Sequence, residues 1–132
     1  RRPLFKLYSK PAFYSDANGV LFSFKVKDSM KYPKFQTISS TISLETTASM
    51  IQDLSLDSFI SSELVHVVLE KDQYQLKLKS FDFDIIFGAP INIDEKIKKL
   101  KIFCAYQKIQ DSLNGYKKIN LSYQNQVVAI MP

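Results

Sequence analysis

The chain has 132 residues, 45% apolar and 13% aromatic, with only 3 Gly and 5 Pro, a composition that excludes a low-complexity or disordered chain and supplies a core for one globular domain. Its 18 Lys and Arg against 13 Asp and Glu give a net charge of +5, which admits an anionic partner without requiring one. No apolar run approaches the roughly 20 residues that cross a bilayer. The charge is unevenly placed: residues 1–36 carry eight basic and two acidic side chains, 37–70 none and five, and 71–132 ten and six.

Leu4 to Tyr8 reads as a short extended segment behind Arg1-Arg2-Pro3. A hairpin follows, because Ala12 to Ser15 and Val20 to Lys27 flank Asp16-Ala17-Asn18-Gly19, where Asn-Gly accepts the positive φ angles of a tight turn. Val20, Phe22, Phe24 and Val26 would share one face. Residues 28–34, with Asp28, Ser29 and Pro33, read as a loop. From Ser43, Leu44, Ala48, Ile51 and Leu54 recur at helical spacing and predict a short helix.

Glu63 to Glu70, Gln73 to Lys79 and Asp82 to Gly88 are apolar at alternate positions and predict a three-stranded meander. The alternation sets its second hairpin, with Lys79/Asp82 and Lys77/Asp84 paired outside and Leu78/Phe83, Leu76/Ile85 and Tyr74/Phe87 inside. Asn92 with Glu95 has the form of a capping box, and Ile93, Ile97, Leu100 and Cys104 mark the apolar stripe of a longer helix running to about Asp111. Asn114-Gly115 stops it, and Tyr116 to Met131 closes the chain as one strand or two. The order predicts an α+β fold, a mostly antiparallel sheet with two helices packed on one face.

Phosphate loops, nucleophile elbows and metal-binding His-Glu-x-x-His spacing are absent from the sequence. One cysteine and one histidine, Cys104 and His66, make neither a disulfide nor a zinc site, and Cys104 on the helix stripe is expected to be buried and dispensable. Asp82 and Asp84 share a face as paired carboxylates do, but Lys77 and Lys79 answer them. Lys96, Lys98, Lys99 and Lys101 read as a solvated helix face, and with no aromatic interleaved among them nucleic acid is not expected.

Three stretches are more specific. Asp84-Ile85-Ile86-Phe87-Gly88, then the Lys-Leu stretch Ile97 to Phe103, then Tyr116-Lys117-Lys118-Ile119-Asn120-Leu121-Ser122-Tyr123 before Gln126-Val127-Val128 resemble, in order and spacing, the periplasmic part of the bacterial cell-division family FtsQ/DivIB. At the other end Arg1-Arg2-Pro3-Leu4 is similar to the family's Glu/Gln-Arg-x-Pro join, and Tyr14-Ser15-Asp16-Ala17-Asn18-Gly19 to its Tyr-x-Asp-x-x-Gly turn. The segment after Pro33 departs from the family's Val-Pro-x-x-x-Gly connection.

The resemblance implies that residues 1–132 form a single FtsQ/DivIB-like β domain, with Arg1 to Leu7 at the join to an upstream POTRA domain. It implies a non-catalytic divisome adaptor without cofactor or metal, the periplasmic domain of a single-pass inner-membrane protein. FtsB-like and FtsL-like partners are then expected to bind by strand addition at the C-terminal edge. The matching positions are Ser122, Tyr123 and Asn125, with Met131 further along and Lys71 as the basic residue that meets the partner's helix. An edge strand offers unpaired N–H and C=O groups, which is the physical ground for placing a partner there. Two other readings stay open, a different periplasmic or secreted protein-binding module and an enzyme using Cys104 or the aspartates.

Overall fold

The structure, a computed structural model, describes residues 2–7, 13–23, 32–38, 40–109, 118–122 and 128–130. Its centre is the alternating middle of the chain: β5 (Leu64–Glu70), β6 (Gln73–Leu78) and β7 (Asp84–Gly88) form the expected antiparallel meander. Val67, Leu69, Tyr74, Leu76, Leu78, Ile85 and Phe87 are buried on one face. Gln75 stands opposite Ile86 and Leu76 opposite Ile85, as the pattern requires.

Two details of that hairpin differ from expectation. Tyr74 faces Gly88 rather than Phe87, because the register shifts by one between Tyr74 and Gln75 and the chain leaves β7 through Gly88 at φ 83. Lys77 meets Asp84 at 3.9 Å as expected, but Asp82 is held through its main chain, its carbonyl accepting from Lys77 Nζ at 2.7 Å. The Lys79/Asp82 pair gives way to Glu63, whose carbonyl accepts from the Lys79 N–H and whose carboxylate accepts from the Ser80 N–H and hydroxyl.

The N-terminal strands are β1 (Phe5–Leu7), β2 (Tyr14–Ser15) and β3 (Leu21–Phe22). Asp16 Oδ1 accepts from the N–H groups of Asn18 and Val20, both at 2.9 Å, and holds the β2–β3 turn. Gly19, at φ 80, ends that turn against the first helix: a Cβ there would lie 2.9 Å from Glu45 Cα. The expected partners Phe24 and Val26 lie outside the described residues. Where the sequence suggested only a loop up to residue 34, a strand β4 (Lys34–Ile38) starts directly after Pro33 and runs parallel to both β1 and β5. At the other end β8 (Lys118–Asn120) lies parallel to β7, and β9 (Val128–Ile130) antiparallel to β8.

Among the described residues the sheet therefore has nine strands in the order β3-β2-β1-β4-β5-β6-β7-β8-β9. It is mixed and mostly antiparallel. The parallel neighbours β4/β5 and β7/β8 are each joined by helical crossovers, while the parallel pair β1/β4 is connected through β2 and β3.

Helix α1 (Leu44–Ser55) starts at Ser43, whose hydroxyl accepts from the Thr46 N–H, and buries Ala48, Met50, Ile51 and Leu54. A third helix, α2 (Ser58–Glu63), was not expected; Asp57 caps it by accepting from the Ile60 N–H. Helix α3 (Ile93–Ile109) buries Ile97, Leu100 and Cys104. Its start differs from a capping box, since Asn92 sits at φ 54, in the left-handed region that asparagine tolerates.

All three helices lie on the face of Val67 and Ile85. Thr47 Oγ1 of α1 bonds the buried Tyr74 hydroxyl at 2.6 Å, and Phe103 of α3 stands edge-on to Phe83. Phe59 of α2 meets Phe81, which in turn packs on Phe83.

Candidate partner-binding edge

The fold separates the residues that chemistry would need together. Cys104 is buried on α3 above one face of the sheet, whereas His66 points to the other face, opposite Lys34 of β4 and Lys77 of β6. Burial first and the Lys34 charge second hold the His66 imidazole below its ordinary pKa, and its Nε2 is buried without a hydrogen-bond partner among the described residues. The paired aspartates Asp82 and Asp84 are both served by Lys77.

The four lysines of α3 do not form one solvated face. Lys98 and Lys101 are exposed, Lys99 lies 3.8 Å from Glu95, and Lys101 bonds Asp57 at 2.9 Å. That bond is the main reason the Asp57 carboxyl is held below its usual range. Lys96 is 5% exposed; its Nζ donates to the Ala89 carbonyl at 2.9 Å and stands 4.7 Å above the Phe87 ring. Burial, then the nearby Lys99, pushes its pKa down. The signal was present in the sequence: Lys96 is three residues after Ile93 and four before Leu100, on the apolar stripe itself.

Lys96 marks one end of the sheet, where Gln73, Ser122 and Lys96 converge on Gly88. A Cβ on Gly88 would lie 3.0 Å from Ser122 Cβ, 3.6 Å from Gln73 Oε1 and 3.8 Å from Lys96 Nζ. The Lys71-Asp72 turn that joins β5 to β6 stands at this same end, with Lys71 exposed at φ 52. Asp72 reaches back across it to accept from the Thr41 N–H at 2.8 Å and from the Ser40 and Thr41 hydroxyls, chiefly the first of which keeps its carboxyl below the usual range. Of the expected site residues, the structure thus brings Lys71 and Ser122 to one end of the sheet; Tyr123, Asn125 and Met131 lie outside the described residues.

The edge itself is displaced by one strand from the sequence reading. Strand β8 is paired on both sides, with β7 and with β9, and Leu121 extends the first ladder by donating to the Ile86 carbonyl at 2.9 Å. Ser122 offers no open edge donor, because its N–H is taken by Asn120 Oδ1 at 2.8 Å and its hydroxyl also turns to that oxygen. The physical reason is that the chain doubles back after Ser122, so that Val128 faces Asn120 and Ile130 faces Lys118. Among the described residues the outermost strand at this side is β9, and at the other side β3 with Leu21 exposed.

The described concave surface lies on the helical side. A cleft of about 750 Å³ between α1, α2 and the start of α3 is lined by Asp53, Asp57, Lys98 and the exposed Leu56 and Ile91.

A mixed sheet layered on one side by helices defines an α+β domain. The family described as FtsQ/DivIB, C-terminal related matches residues 2–130, and the chain belongs to that family. Comparison with curated proteins yields no match.

Proposed function

We propose that this chain is a non-catalytic adaptor domain of the division machinery, acting on the extracytoplasmic side of the membrane and capturing an FtsB-like or FtsL-like segment as an added strand outside β9. Membership of an FtsQ/DivIB-related family supports the division context. The observation that carries the reading is the strand order, in which β9 is outermost and pairs with β8 along one side only among the described residues. Backbone groups along the free side of such a strand gain hydrogen bonds when a partner strand is added, and alternate side chains choose the sequence. Ser122, Tyr123 and Asn125 fall at or within the β8–β9 connection, Met131 directly follows β9, and Lys71 stands at the connection's end of the sheet; these residues would select the partner's side chains. No helix among the described residues is long and apolar enough to cross a membrane.

The test is titration of the 132-residue chain with an FtsB-like peptide, comparing the parent with Val128→Pro and Ala129→Pro. Consecutive N–H groups in a strand point to opposite sides, so one of the two prolines removes an outward donor while leaving the β8 ladder its bonds. Loss of peptide binding in that folded variant is expected. Parental binding by both folded variants, or no binding by the parent, would overturn the reading.

A further inference from the structure

The face of the sheet away from the helices carries an ordered row of charge. Register places Lys6 of β1 beside Lys34 of β4, Lys34 beside His66 of β5, and His66 beside Lys77 of β6. Lys77 then meets Asp84 of β7, and Asp84 stands beside Lys118 of β8. Six neighbouring strands thus contribute four lysines, one histidine and one aspartate to a single line perpendicular to the strands. With strands about 4.8 Å apart, the line from Lys6 to Lys118 is about 24 Å long.

No carboxylate pairs with Lys6, Lys34 or Lys118 among the described residues. Like charges directly across a ladder repel, so Lys6 beside Lys34 weakens the sheet rather than holding it together. The adjoining row on the same face, Gln36, Val68, Gln75, Ile86 and Asn120, mixes amides with aliphatic groups. Amides bond peptide groups, and the aliphatic groups between them give a side chain something to rest on.

We propose that this row is a second docking surface, separate from the β9 edge, which takes an acidic stretch of a partner polypeptide lying across the strands. Charge complementarity names the occupant. The single negative position favours a polypeptide over a lipid surface, because a layer of anionic headgroups confronts Asp84 as closely as it does the lysines, whereas a polypeptide can set a neutral or basic residue there. His66 at the middle of the row supplies an internal reporter. A carboxylate seated over the row counters the influence of Lys34, so the His66 titration moves upward when the row is filled.

The experiment uses the whole 132-residue chain and a fluorescein-labelled Glu-rich peptide of about 16 residues, with the same peptide carrying Gln for Glu as comparison. Expected are binding of the Glu peptide that weakens as salt is raised, no binding of the Gln peptide, and an upward shift of the His66 ring titration on binding. Lys34→Glu with Lys77→Glu should weaken binding about tenfold or more, while Lys98→Glu on the helical side changes it less than about twofold. Should the double reversal fail to fold, Lys6→Gln with Lys118→Gln at the ends of the row must still weaken binding at least about threefold. An absence of Glu-peptide binding, an equal loss in Lys98→Glu, an unmoved His66, or binding only to vesicles containing anionic lipid would each overturn the proposal.

Discussion

On one face of the sheet Phe35, Val67, Leu76, Ile85 and Ile119 stand side by side in five adjacent strands beneath the helices; one residue along each of those strands, on the other face, stand Lys34, His66, Lys77, Asp84 and Lys118. The two rows share a backbone and differ by a single step, so a slip of one residue in any strand would put a charge in the core and an aliphatic group in water. Burying each large apolar side chain of the first row contributes about 1.5 to 3 kcal/mol, whereas among the described residues the second row holds one ion pair, at 3.9 Å between half-exposed groups, with Lys118 beside the same Asp84 and Lys6 and Lys34 side by side. Stability accounts for the first row. It does not account for the second, and residues that do not serve the fold are where function is to be sought.

The largest expected effect lies on the closed face. Ile85→Ala, at 0% exposure with neighbours on two strands, should cost about 2 to 5 kcal/mol in urea unfolding, while Lys34→Ala across the sheet stays within about 0.5 kcal/mol of the parent or gains. Equal losses at the two sites would erase the distinction between the faces. A smaller loss is expected at the end of the sheet where Gly88 meets Lys96 of α3: Gly88→Ala forces an L residue to φ 83 and sets its Cβ 3.0 Å from Ser122 Cβ, costing about 1 to 2 kcal/mol or more in the same assay. Tyr74→Phe should lie close to this, about 1 to 3 kcal/mol, since it strands the Thr47 hydroxyl that its own buried hydroxyl meets at 2.6 Å.

The same comparison explains what the sequence could disclose. Strands β5 to β7 and helices α1 and α3 were legible because each repeats its apolar residue several times, as Val67 and Leu69 or Ile97, Leu100 and Cys104 do. Strand β4 was not, because Phe35 is its one fully buried residue and Pro33 in front of it speaks for a loop. Helix α2 is six residues long and fully buries only Ile60, too little for a period to show. The edge was misplaced by one strand for a different reason: Ile119 and Leu121 alternate as any closing strand would, and nothing in Ser122 announces that Asn120 takes its N–H or that Val128 returns to cover Asn120. The basic row depends on pairing between residues as far apart as Lys6 and Lys118, so it becomes visible only once register is known.

The smallest effect concerns His66, the one group of the open row that titrates near neutrality. Its ordinary pKa is 6.5; in the folded chain burial first, and the Lys34 charge second, hold it lower. Between those two values the unfolded chain carries more of the proton, so acid favours unfolding: the contribution of the neutral imidazole is fully present above about pH 6.5 and is lost as the pH falls through the folded value. The carboxylates Asp57 and Asp72, also held below their ordinary 3.8, lose their contributions only as the pH falls past that value toward their own folded pKa, which separates the two windows. Urea midpoints taken at about pH 7.5, 6.5 and 5.5 should decline for the parent and decline less for His66→Gln, with the two proteins running parallel above neutrality. A parent midpoint that is flat over that range would mean that folding leaves the imidazole's titration where it is in the unfolded chain, and one that rises in acid would mean that the fold favours its charged form, making the open face more strongly basic than its neutral histidine makes it.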